Sequence, residues 1–136
     1  MASTFVNNNG VVTVQRDVVS STIKTATDLN ILQVGGNGFL VEDVVVRTDS
    51  TGLAGGTALV LKADGIVFFQ TAISGLGASA LKDLKNASVT GVRATVPAGA
   101  KYITISSTIA DCTGAGVATV TLIGRRLDST STIDAI

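Results

Sequence analysis

The chain has 136 residues, ten Lys+Arg against ten Asp+Glu, no histidine and 46% hydrophobic residues. Its 15% charged share lies well below the roughly 25% of an ordinary soluble domain. Disorder is excluded, because it needs low hydrophobicity and high charge. Nor does a zero net charge supply the positive field that draws in nucleic acid.

The inventory narrows the chemistry. Without histidine the commonest general base and the commonest metal ligand are gone. The single cysteine, Cys112, cannot close an internal disulfide or build a thiolate zinc site. It reads as a small hydrophobe beside a turn. No cofactor is expected. No positive charge precedes Arg16 and no long apolar run follows Met1, so a leader peptide is not expected and synthesis is placed in a cytoplasm. Aliphatic runs such as Val44-Val45-Val46 are far below the ~18 residues of a membrane helix. No membrane partner is expected either.

Val, Ile and Thr make up a third of the chain, and these stiff β-branched residues suit strands. Residues 1–10 read as a flexible N-terminal arm. Phe5 and Val6 offer two apolar anchors, and Asn7-Asn8-Asn9-Gly10 has no place in any alternation. Phe5, Val6, Asn7, Asn8 and Asn9 are therefore the candidate partner-interface residues, able to dock on a neighbouring subunit by strand addition. The main domain covers residues 11–127. Its first predicted strand is Val11–Val19, followed loosely by Ile23–Val34 in one or two pieces. Gly35-Gly36-Asn37-Gly38 is a turn; no Gly-Lys-Ser/Thr follows to make it a phosphate loop. Phe39–Thr48 is a strong strand, with Glu42 and Asp43 expected on opposite faces and so unable to act as a catalytic pair.

After a loop over 51–56, Thr57–Ala63 and Ile66–Thr71 flank Asp64-Gly65, the sequence mark of a type I′ hairpin. Ala78–Asn86 fits a helical turn or a short edge strand equally. Val89–Val96 alternates as one strand, Pro97–Ala100 turns, and Tyr102–Ile109 and Val117–Ile123 follow around the loop 111–116. Residues 128–136 form a Ser/Thr-rich C-terminal tail. Seven to nine short strands with regular turns imply an all-β fold: a single antiparallel β-sandwich, jelly-roll-like at this length.

Phe39–Val46, Leu59–Leu61 and Ile66–Phe69 carry apolar residues on both faces. A strand apolar on both sides wants cover on both sides, which points to a homo-oligomer. Other motifs take ordinary readings. Asp49, Asp64 and Asp111 are turn formers that would bind calcium only if they converged. Arg125-Arg126 is a solvated strand end, and Asn86-Ala87-Ser88 matches a glycosylation sequon without an export signal. Five aromatic residues and no tryptophan give little material for a sugar platform of stacked rings.

Two runs carry a resemblance. Phe39–Arg47 with Gly55–Leu61, and Val96–Ile105 with Gly116–Gly124, share a texture of strand, Gly-Thr loop and Pro-Ala-Gly turn. In this the chain resembles small virion proteins of tailed bacteriophages, the capsid decoration (cement) proteins and related head or tail accessory proteins. It departs from the more proline-rich members in having one proline. The resemblance implies a non-enzymatic, often trimeric protein on the outer capsid surface of the virion. It would bind the major capsid protein or other virion subunits and stabilise contacts between capsomers. The rival reading is a carbohydrate-binding or adhesin module on a phage fibre or spike.

Overall fold

The computed structural model describes the backbone of residues 2–6 and the whole of residues 11–86, 88–97, 99 and 101–136. The chain is an all-β, antiparallel sandwich, and its strands are numbered here in chain order. The first sheet runs β1 (Ala2–Val6), β2 (Val11–Val19), β13 (Val117–Arg126), β4 (Phe39–Thr48), β10 (Ala94–Val96). The short β8 (Leu81–Asp83) pairs with the far half of β4. The second sheet runs β14 (Thr132–Ala135), β3 (Leu29–Gly35), β11 (Lys101–Ser107), β6 (Ala58–Ala63), β7 (Ile66–Ala72), β9 (Val89–Gly91). A two-stranded ribbon, β5 (Ala54–Gly55) with β12 (Cys112–Thr113), completes the described strands.

Alternation places the core. In β13, Ala118, Val120 and Leu122 face inward and are fully buried, while Thr119, Thr121 and Ile123 between them are half-buried. The facing sheet contributes Leu59, Leu61, Phe69, Ile103 and Ile105 to the same cluster. Because both sheets feed one apolar cluster, the two layers are stapled by burial, at about 25 cal/mol for each Å² of apolar surface removed from water. Arg16, from β2, donates to the backbone carbonyl of Ile136 just beyond β14, tying the sheets together along one edge.

Local chemistry explains the boundaries that match expectation. β2 and β4 occupy the expected ranges because alternation runs through most of each, burying Val12, Val14 and Val18 in β2 and Phe39, Val41, Val44 and Val46 in β4. Asp64 and Gly65 both take positive φ, 51° and 79°, as a type I′ turn between β6 and β7 requires.

Several expectations are corrected. The segment 1–10, expected as a free arm, is in its described part an edge strand: Ala2–Val6 pairs antiparallel with Val12–Arg16 of its own chain. The tail 128–136 contains β14, hydrogen-bonded to β3, with Ile133 buried beneath it. Val89–Val96 is two strands, not one. Val89–Gly91 pairs with β7 in the second sheet, and Ala94–Val96 pairs with β4 in the first, so the chain changes layers at Val92-Arg93. Ala78–Asn86 resolves as the edge strand β8 flanked by turns.

The two-faced strands find part of their cover inside the chain. In β6, Leu59 and Leu61 face the core, yet Val60 between them is also buried, set between Ser106 and Gln70. A register shift opposite Leu61/Lys62 adds one residue to β7, and Phe68 and Phe69 are both buried as a result. What still lacks cover is at the strand ends, described next.

Candidate interaction surface

Among the apolar side chains left in solvent, which also include Val19, Leu81, Leu127 and Ile136, two places at opposite ends of β11 are the most exposed. At the β6–β7 turn, Ile66 is 72% exposed, Val67 46% and Val92 63%. Val67 and Val92 line one groove of about 200 Å³ together with Ile66, Phe68 and Ala63. The groove exists because β9 pairs only with Phe69–Thr71 and the chain then leaves for the other sheet. Beyond the one further bond from Val92 N–H to the Phe68 carbonyl (2.9 Å), the outer backbone edge at Ile66–Val67 has no strand beside it among the described residues. An exposed apolar strand edge is a template for another chain.

At the other end stands Ile109, 84% exposed, at φ +72°. The Ala110 N–H donates to the Thr108 carbonyl across it at 2.8 Å. This is the rare, strained γ-turn. A β-branched residue in that region of backbone space is an outlier. The turn follows directly on β11, whose opposite end abuts the Asp64-Gly65 turn through the Asp64 N–H bond to Tyr102. At about 3.3 Å per strand residue, the two apolar ends lie some 20 Å apart.

Of the residues marked out in the sequence, Phe5 and Val6 belong to β1, whose backbone is paired to β2. Asn7, Asn8 and Asn9 lie outside the described residues. Glu42 and Asp43 are not split between faces. The β4–β13 register shifts between Ile123 and Gly124, making Glu42 an extra residue, and both carboxylates line one groove of about 430 Å³. Leu84, Val92 and Ile123 supply its apolar wall, and Lys85 and Arg93 its cations. Glu42 Oε1 accepts from Arg125 Nε at 2.6 Å, and Asp43 Oδ1 accepts the Val44 N–H at 2.8 Å. Both carboxylates are thus held in place by partners of their own.

The turn aspartates do local work. Asp49 Oδ1 accepts the Thr51 and Gly52 N–H groups at 3.0 and 2.8 Å, and the Gly52 bond above all lowers its pKa. Asp64 pairs with Lys101 and Asp111 with Lys24. Asp128 was not marked by its sequence context. Its carboxylate accepts the Thr130 hydroxyl and N–H at 2.7 and 2.8 Å and is bonded by the Asn37 amide, holding its pKa down at about 2. It pins the C-terminal segment to the Gly35–Gly38 turn. Cys112 is buried against Gly55, and burial pushes its thiol pKa up, the opposite of a reactive thiolate. Among the described residues no cluster of three metal-ligating side chains occurs, and no helix is long and apolar enough to cross a membrane.

Comparison of the chain with protein-family models, with curated proteins and with solved structures finds no match.

Proposed function

We propose that this chain is a non-enzymatic virion structural protein: a capsid decoration protein that binds the outer capsid surface and bridges neighbouring capsomers, working as a homo-oligomer, with a trimer favoured. The observation that carries the reading is the pair of apolar contact points at opposite ends of one rigid sandwich. Two anchors held some 20 Å apart by a β scaffold suit a clamp, because each contact adds to the other through effective concentration.

The strand order supports the reading. β2-β13-β4-β10 faces β3-β11-β6-β7, and along the chain these strands alternate between the layers except at the β6–β7 hairpin. We read this as a jelly roll, an architecture used by capsid proteins and lectins alike. Balanced charge in a hydroxyl-rich chain (18 Thr and 11 Ser) leaves such contacts insensitive to salt. In this reading localisation is the virion surface, and Phe5 and Val6 of the edge strand β1, with Asn7, Asn8 and Asn9 after them in sequence, extend the contact.

The test is to mix the purified chain with undecorated tailed-phage capsids and image the particles. Regularly spaced density at junctions between capsomers, saturating with added protein, is the expected result. Capsids that stay bare at saturating protein would refute the reading.

A further inference from the structure

The outer face of the second sheet holds a polar depression of about 360 Å³ that the clamp does not use. Its centre is β11. Tyr102 and Thr104, two residues apart, share this face, since Ile103 and Ile105 between and after them are buried in the core. Thr104 stands in register between Asn30 of β3 and Lys62 of β6. Asp28, just before β3, and the Asp64-Gly65 turn close the rim, with Lys101 beside Asp64.

The electrostatics are balanced. Lys62 Nζ reaches the two Asp28 oxygens at 3.2 and 3.1 Å, and Lys101 Nζ lies 3.5 Å from Asp64 Oδ1. Two carboxylates are matched by two ammonium groups, so no excess charge favours an ionic ligand. Polar capacity is nevertheless left over. Among the described residues, the Asn30 amide and the Tyr102 hydroxyl make no side-chain hydrogen bond. Thr104, 9% exposed, lines the depression with its hydroxyl buried and unpartnered. An unsatisfied buried hydroxyl is an exception that calls for a partner. The Tyr102 ring, 38% exposed, adds a flat apolar face amid these groups.

We infer that this depression binds a neutral hexose-containing oligosaccharide. A sugar has one apolar C–H face and a rim of hydroxyls, each both donor and acceptor. The ring takes the C–H face. Carboxylates, amide and ammonium groups set around it take the hydroxyl rim, offering both donors and acceptors. Five aromatic residues without tryptophan offer no platform of several rings. The fold instead places its single tyrosine among the polar groups a sugar needs. The inference does not depend on the clamp reading.

The chain carries its own probe, because Tyr102 is its only tyrosine and it has no tryptophan. An array of neutral oligosaccharides built from glucose, galactose, mannose and N-acetylglucosamine is screened first. Titration of the best responder then follows Tyr102 emission, and saturation-transfer NMR reads the variants. The expected result is a saturable emission change with a Kd of about 1 mM or tighter. Binding is lost in Tyr102→Ala and kept in Tyr102→Phe. In Asp28→Asn and Asp64→Asn it weakens about tenfold, the scale of weakening one hydrogen bond to a charged group, at unchanged melting temperature. No saturable binding from any neutral oligosaccharide would overturn the inference. So would binding that survives Tyr102→Ala, or binding confined to acidic glycans.

Discussion

Replacing Ile109 by glycine should move folding and assembly in opposite directions. A β-branched residue at φ +72°, closed into a γ-turn by the Ala110-to-Thr108 bond, stores strain of about 1–3 kcal/mol. Glycine adopts that backbone freely but gives the unfolded chain extra freedom, offsetting about 1 kcal/mol. The net gain in folding stability is about 1 kcal/mol, or about 3–5 °C in melting temperature for a domain this size. The side chain is 84% exposed, so its removal deprives the core of almost nothing. At an assembly contact the sign reverses. Burying most of an isoleucine contributes about 2 kcal/mol, so each contact should weaken about 30-fold. Differential scanning calorimetry reads the first effect and titration onto capsids the second. A melting temperature that falls would refute the strain argument, and unchanged capsid affinity would refute the anchor.

Other perturbations separate the parts of the account. Ile66→Ser with Val92→Ser should change monomer stability by less than about 0.5 kcal/mol each while weakening self-association, read by size-exclusion chromatography with light scattering. Gly124→Ala would set a Cβ 2.0 Å from the Leu40 carbonyl oxygen and 2.6 Å from the Phe39 ring, so chemical denaturation should show a loss of about 2–3 kcal/mol. Asp128 has a folded pKa of about 2, below its ordinary value, so its stabilising bonds are fully present at neutral pH and are lost as pH falls from about 4 through 2. Acid unfolding of Asp128→Ala should therefore lack that component, seen as a smaller difference in melting temperature between pH 5 and pH 2. Native Cys112 should resist a thiol reagent such as Ellman's at pH 8 and react once the chain is unfolded in guanidinium.

The sequence was readable wherever one face was buried and the other wet. β2, β4 and the Asp64-Gly65 hairpin follow from alternation and turn chemistry alone. What escaped depends on partners distant in the chain. The break at Val92-Arg93 has no turn residue after Gly91; it arises because β7 and β4 compete for the two halves of one segment. β14 was hidden in Ser/Thr-rich sequence, its pairing with β3 resting on Ile133 and on the Asp128 pin. The shared groove of Glu42 and Asp43 needed the register shift at Ile123/Gly124, which period-two counting cannot contain. Ile109 ended a predicted strand and looked like any strand residue. Only its positive φ and its exposure mark it out. The Tyr102 depression draws on β3, β11 and the Asp64-Gly65 turn, so no single stretch of sequence displays it.

The central claim is that the apolar surface left over by this low-charge chain is covered by other subunits. Sedimentation equilibrium of the wild-type protein, across a wide concentration range in physiological salt, tests it most directly. The account predicts a reversible oligomer, with the mass of a trimer at the upper end. A single species at the 13.7 kDa chain mass throughout would contradict it.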